Sequence, residues 1–193
     1  MTFLDVRYKA NIWSINLSDK KDQLLPLTRS IKYNNMPSFS PDGSQIAFTS
    51  NRQGKGAIWL YSLATNKQRK LFSLDGENLT LPSWSPAGDK LLVSYKNASE
   101  YGCYQYNIKN QHYESVGTFE KEYYSCLYGS NDDIFAMTKE ENQNSQIIKI
   151  AGNKTIEQMT VDGVNQMKLL SDNVLIYSSK NKNGLQMMSL SGK

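Results

Sequence analysis

The sequence predicts an all-β fold, a β-propeller of four-stranded antiparallel blades, on three observations. One stretch is written twice: PSFSPDGSQIAFTS at 37–50 returns as PSWSPAGDKLLVSY at 82–95. A triplet of alternating residues recurs in step with it, at 13/15/17, 59/61/63, 104/106/108, 146/148/150 and 186/188/190. Shorter strand-like stretches fill the intervals, at 24–28, 70–74, 113–117 and 156–160. Alternation of period two marks strands with two different faces. Four short strands in each repeat of roughly 40–46 residues is the pattern of a propeller blade.

The duplicated motif specifies the start of each blade. An aromatic residue, Phe39 or Trp84, is followed by Ser-Pro, a turn and an alternating strand. Pro41 and Pro86 fix φ near −65° and cannot donate to a ladder, so they end one strand and open the turn. Gly43 and Gly88 supply the positive φ of a tight turn. Phe39 and Trp84 are expected to fill the space between neighbouring blades, each contributing roughly 2–3 kcal/mol by burial. Two fainter copies begin at Tyr128 and Leu170. The triplet begins with Trp13, Trp59, Tyr104, Gln146 and Gln186, and defines a third strand in each blade.

These elements divide the chain into units of about 1–28 (partial), 29–75, 76–118, 119–160 and 161–193 (partial), read as one domain over 1–193. They supply seventeen or eighteen strands, about four to five blades, with 3–9 as a further strand of the first unit. Two architectures fit: a small closed ring of about five blades, or an incomplete arc of a larger propeller. An arc leaves apolar faces and strand edges bare, which favours self-association; the reading adopted is the arc.

Composition agrees. The chain has 193 residues, 39% hydrophobic and 11% aromatic, with twelve Tyr and a net charge of +4. That is enough for a core and unlike a disordered segment. Basic residues are scattered, and the densest run, Lys67–Lys70, is short, which argues against a nucleic-acid surface. No run approaches the ~18–20 apolar residues of a membrane span. The first nine residues lack a charged-then-apolar leader pattern, so a chain working outside the cytoplasm would take its targeting segment from elsewhere. Cys103 and Cys126 have no metal-ligand spacing. They are read as buried free thiols, with a disulfide as the alternative in an oxidising compartment.

SFSPDGSQIAFTSNRQGKGAIWLYSL and SWSPAGDKLLVSY resemble the TolB-type, WD40-like β-propeller repeat. The likeness is strong over 37–63, moderate over the second copy and a matter of pattern elsewhere. The order ANIWSINL, LPLTRS, MPSFSPDG, IAFTSNR, IW, ending in GLQMMSLSG, also resembles the C-terminal region of CadC-type membrane-bound winged-helix regulators. That resemblance implies a periplasmic sensor whose winged helix and membrane helix lie in a segment this sequence does not contain. TolB-type proteins imply a periplasmic scaffold that binds a protein. Similar blades also gate prolyl-oligopeptidase-type peptidases.

Catalytic chemistry is not visible. His112 is the one histidine, in a polar stretch after a strand, and no G-x-S-x-G elbow accompanies it. Gly54-Lys55-Gly56 fits neither a P-loop nor a dinucleotide fingerprint and reads as a hairpin turn. Asp132 and Asp133 read as solvated turn carboxylates. The expectation is therefore a non-enzymatic sensor or protein-interaction domain without cofactor or metal. In propellers, partners meet the loops at one rim of the channel. Here those loops carry Tyr33, Asn34, Asn35, Asn51, Arg52, Asn78, Lys96, Asn97 and Asn181, side chains suited to a protein or a small polar ligand. The expected setting is the periplasm, with the cytoplasm as the alternative, no direct nucleic-acid contact, and a homodimer as a further partner.

Overall fold

The structure is a computed structural model that describes residues 9–17, 24–73, 78–79, 81–96, 101–116, 122–139, 145–151, 155–160, 163–171 and 173–190. Eighteen strands and no helix are found among them. The first sheet has two strands, β1 (Trp13–Ile15) and β2 (Leu24–Pro26). The second has four in chain order: β3 (Asn34–Phe39), β4 (Gln45–Ser50), β5 (Ala57–Ser62) and β6 (Gln68–Phe72).

The third sheet joins β7 (Asn78–Leu79), β8 (Ser83–Trp84), β9 (Lys90–Lys96), β10 (Tyr101–Asn107) and β11 (His112–Val116). Here β7 and β8 share the position of one inner strand, each pairing with β9. The fourth sheet runs β12 (Glu122–Tyr128), β13 (Ile134–Lys139), β14 (Gln146–Ala151) and β15 (Thr155–Thr160). The fifth has three strands: β16 (Val164–Ser171), β17 (Val174–Ser179) and β18 (Lys182–Ser189). Every strand–strand ladder is antiparallel. The stretch 3–9 read as a strand lies outside the described residues, apart from Lys9.

Alternation along the strands creates a row of four cores. Sheet 2 sends Ile46, Phe48, Ala57, Trp59 and Tyr61 towards Ile12 and Leu27 of the first unit. Its other face sends Ala47, Ile58, Leu60 and Phe72 against Trp84, Leu91, Val93, Tyr95 and Tyr106 of sheet 3. Leu92 and Cys103 turn the opposite way, onto Tyr123, Cys126, Ile134, Ala136, Ile148 and Ile150 of sheet 4. Phe135, Met137 and Ile147 then meet Val164 and Leu175 of sheet 5. Each middle sheet is thus apolar on both faces.

The first strands converge: β3 touches β8, β8 touches β12, and β12 touches β16. They are the inner strands, and the sheets fan out from them as blades. Among the described strands the sheets follow one another as an arc, and no ladder joins the first sheet to the fifth.

The repeated turn is held by its serine. Ser40 Oγ accepts from the Gln45 N–H at 2.9 Å and donates to Asp42 Oδ1 at 2.6 Å. In the second copy Ser85 Oγ accepts from the Lys90 N–H at 3.0 Å and donates to Asp89 Oδ1 at 2.9 Å. The Gly43 and Gly88 N–H groups bond back to the Ser40 and Ser85 carbonyls, each at 2.9 Å and with φ of +70° and +72°. The hydrogen bonds from Ser40 and then from Ser44 hold the exposed Asp42 carboxyl at about 2, below its ordinary 3.8.

Two expectations are corrected. Trp84 is buried and donates its indole N–H to the Ser38 carbonyl of sheet 2 at 3.0 Å, but its counterpart Phe39 is 59% exposed. Phe39 sits opposite Ile46, on the face that looks towards the first sheet. Neither of the two described strands of that sheet covers the ring. The cysteines are not free: Cys103 of β10 and Cys126 of β12 are joined as a disulfide with Cα atoms 6.3 Å apart. Distant in sequence, they meet because β10 and β12 face one another across the core between sheets 3 and 4.

Candidate functional site

The rim residues do not form one group. Tyr33, Asn34, Asn51 and Arg52 come together where β3 begins and β4 ends. The Tyr33 N–H donates to Asn51 Oδ1 at 3.0 Å, and the Asn51 N–H donates to the Tyr33 carbonyl at 3.2 Å. Asn34 is completely buried; its amide donates to the Ala10 carbonyl at 3.2 Å and to Asn11 Oδ1 at 3.3 Å.

Arg52 spreads its guanidinium over this cluster. Nη2 donates to Asn34 Oδ1 at 2.6 Å, Nε to Ser50 Oγ at 3.0 Å, and Nη1 to Gln68 Oε1. Gln68 in turn donates to the Leu27 carbonyl at 3.1 Å. The guanidinium carbon lies 4.3 Å from the Trp59 ring centroid and 5.3 Å from that of Phe48, which is cation–π geometry. Burial lowers the Arg52 pKa from its ordinary value. Arg52 and Asn34 therefore clamp the first sheet to the second. Tyr33 and Asn51 remain exposed beside them.

Asn35 is half-buried, and its Oδ1 has no hydrogen-bond partner among the described residues. Asn78 pairs with Lys96 across β7 and β9; the Asn78 side chain and Asn97 lie outside the described residues. Lys96 is exposed. Asn181 occupies the β17–β18 turn of the last sheet, exposed, with its N–H on Ser179 Oγ at 3.2 Å. None of the described hydrogen bonds ties Asn181 to the Tyr33–Arg52 group.

A cavity of about 540 Å³ opens on the inner side of the arc, and the rim reading missed it. Met36, Leu81 and Ser125 line it from the inner side of sheets 2, 3 and 4, facing Gln166 and Lys168 of β16. Met137 and Leu185 add apolar surface. Its volume lies in the range of ordinary ligand sites. Thioether side chains give a lining that adapts in shape. Met36 has φ of +52° at the bulge of β3, a conformation rare for a non-glycine residue and unfavourable before a proline. The sequence signal was present in the dipeptide Met36-Pro37, but only the fold shows that the bulge faces the channel.

The groups that could do chemistry lie apart. His112 is exposed at the start of β11, on the outer edge of sheet 3. Asp133 forms an ion pair with Lys149 at 2.8 Å. Burial, then the nearby acids led by Asp132, raises the pKa of the Tyr128 phenol, which donates to Gln105 Oε1 at 2.6 Å. Among the described residues no group of three or more His, Cys, Asp or Glu is placed to hold a metal.

Sheets stacked face to face around converging inner strands define a β-propeller arc. The chain belongs to the TolB beta propeller domain family, whose profile matches residues 9–193. It is 33% identical over 90 residues to the Tol-Pal system protein TolB of Alcanivorax borkumensis, covering 46% of this chain and 20% of that protein. It is 34% identical over 88 residues to the uncharacterized peptidase YuxL of Bacillus subtilis, covering 45% and 13%. The chain thus corresponds to a fraction of each relative's length.

Among solved structures it resembles TolB from Acinetobacter baumannii, with a TM-score of 0.78 at 16% identity over 94% of this chain and 46% of that one. A puromycin hydrolase mutant gives 0.71 at 10% identity, over 93% and 33%. At these identities the likeness concerns the fold.

Proposed function

We propose that this chain is a non-enzymatic propeller unit that binds a protein on the inner side of its arc and works outside the cytoplasm. The observation that carries the reading is the channel-side cavity, where Met36 of β3, Leu81 between β7 and β8, and Lys168 of β16 line one space. The disulfide between Cys103 and Cys126 supports an oxidising compartment such as the periplasm. Tyr33, Asn51, Lys96 and Asn181 are exposed loop and strand-end positions that would extend the contact beyond the cavity. The partner in this reading is a protein at this rim, with a second copy of the chain as a further one.

The finer role, sensor of a membrane-bound transcriptional regulator, rests on the CadC-type motif order alone. A winged helix and a membrane span encoded upstream would support it; a secretory signal would favour a TolB-like scaffold. The likeness to YuxL and to the puromycin hydrolase favours a second reading, the accessory propeller of a serine peptidase. An α/β-hydrolase domain encoded downstream would establish that one.

Photo-crosslinking in the native host tests the binding reading. A benzophenone side chain is placed at Lys168 on the channel side, and at Glu114 on the outer strand β11 as control. A discrete protein adduct from position 168, absent from position 114, is expected. Equal adducts from both positions, or none from 168, would sink the proposal.

A further inference from the structure

The hairpin of β17 and β18 contains Asn183-Gly184, and Asn183 is the one asparagine of the chain followed by glycine. An asparagine carboxamide is open to attack by the main-chain nitrogen of the next residue, which closes a succinimide ring. A side chain on that next residue crowds the approach, and glycine has none. Asparagine is accordingly a heat-labile residue.

The fold leaves this dipeptide accessible. Ser178 pairs with Leu185 and Ser179 with Lys182, and the register shift between these pairs leaves Asn183 and Gly184 as a bulge without ladder partners. Both residues are exposed. None of the described hydrogen bonds engages the Asn183 side chain; its main-chain carbonyl accepts from Gln186 Nε2 at 3.3 Å.

Other turn asparagines are held in place. Asn66 Oδ1 accepts from the Tyr61 hydroxyl at 2.8 Å, Asn107 Oδ1 from the Lys109 N–H at 3.0 Å, and Asn110 Oδ1 from the His112 N–H at 3.0 Å. A carboxamide fixed by such a local bond must break it before its carbon can swing onto the following nitrogen. Asn183 carries no such restraint. Lys182 precedes it and Lys180 lies in the same hairpin, both exposed. Attack requires the Gly184 nitrogen to lose its proton, and neighbouring cations favour the anion so formed.

We propose that Asn183-Gly184 is a site of spontaneous deamidation, with water as the only co-reactant. The Gly184 nitrogen bonds to Asn183 Cγ and gives its proton to solvent. The Cγ–Nδ2 bond breaks, and the nitrogen leaves as ammonia. Water then opens the succinimide at either carbonyl. Opening at Cγ restores the original backbone and leaves aspartate. Opening at the main-chain carbon leaves isoaspartate, whose backbone runs through Cβ and Cγ and is one methylene longer. Nothing is oxidised or reduced: carboxamide and water become carboxylate and ammonium. The bulge accommodates the longer backbone, because no ladder pair lies within it. The new carboxylate falls between Lys180 and Gln186 in the chain, beside Lys182, and lowers the net charge by one.

The test incubates the full chain in heavy-oxygen water at neutral pH, beside the same chain held unfolded in guanidinium. Position 183 is read by proteolysis and electron-transfer fragmentation, which separates aspartate from isoaspartate. Both products are expected, each carrying one heavy oxygen, at a rate in the folded chain within a few-fold of the unfolded rate. A matching acidic form should appear on ion exchange. A Cβ added at Gly184 meets nothing within 4 Å, although φ there is +78°. Gly184→Ala therefore probes access to the nitrogen with little change in packing, and its conversion should be slower by an order of magnitude or more. Asn183→Gln keeps the glycine and should stay unmodified; circular dichroism of both variants verifies the fold.

An Asn183 that stays intact in the folded chain while the unfolded chain converts overturns the proposal. So does conversion led by another asparagine, such as Asn144 before Ser145, or an undiminished rate in Gly184→Ala. The inference stands apart from the channel-side reading, since cross-linking from position 168 and conversion at position 183 can each fail alone.

Discussion

The disulfide between sheets 3 and 4 gives the sharpest stability test. Cys103 and Cys126 are separated by 23 residues and are almost fully buried in one inter-sheet core. Closing a loop of that length lowers the entropy of the unfolded chain, and the chain-entropy relation gives about 3.4 kcal/mol at 25 °C. Unfolding entropy scales with length, so each 1 kcal/mol moves the midpoint of a chain this size by roughly 2–4 °C. Reduction should therefore lower the thermal midpoint by roughly 7–14 °C.

The comparison of oxidised with reduced wild type isolates the bond, because packing is nearly unchanged. Cys103→Ala with Cys126→Ala serves as the control and should be indifferent to reductant. Urea denaturation, with alkylation and mass analysis of the thiols, reads both properties. Equal midpoints for the oxidised and reduced wild type, or two alkylatable thiols in protein matured in an oxidising compartment, would refute the reasoning.

Trp84→Ala should cost about 3–5 kcal/mol, the range for a large buried ring, whereas Phe39→Ala at the equivalent repeat position should cost well under half of that; urea midpoints at constant m decide it. Arg52→Ala should destabilise by about 2–3 kcal/mol through the lost charged hydrogen bonds. Arg52→Lys should recover little of this, since an ammonium cannot span Asn34, Ser50 and Gln68 at once. The Asp42 carboxyl, held at about 2 against 3.8 ordinarily, contributes stability that is fully present above the unfolded value and lost as pH falls through about 2. Asp42→Asn should flatten that part of the acid limb in denaturation followed at stepped pH.

Much of the fold was legible because its instructions are local. Alternation in QIAFTS and AIWLYS fixes which residues face which side of a strand, and the Ser-Pro turn with its glycine fixes where the chain reverses. These signals recur at blade spacing, so they name the architecture without any long-range information. The faint copies were legible for the same reason: Gln146, Ile148 and Ile150 keep the period of Trp59, Tyr61 and Leu63 although the turn motif has gone.

The site was far less legible. Asn34 and Arg52 carry residue types that suit a binding rim, yet the fold uses them as a buried clamp, and nothing in their local sequence distinguishes the two uses. The cavity joins Met36, Leu81, Ser125 and Lys168, which recur at the blade period, yet the period alone does not say that these positions meet in space. It exists because the inner strands of separate sheets converge.

By itself, then, the sequence determined the strands, their faces and their grouping into blades, since each depends on residues a few positions apart. Only the tertiary structure decided that Phe39 stays exposed while Trp84 is buried, and that Cys103 meets Cys126. Each of these depends on which sheet stands next in space, and burial is a property of the neighbour as much as of the residue.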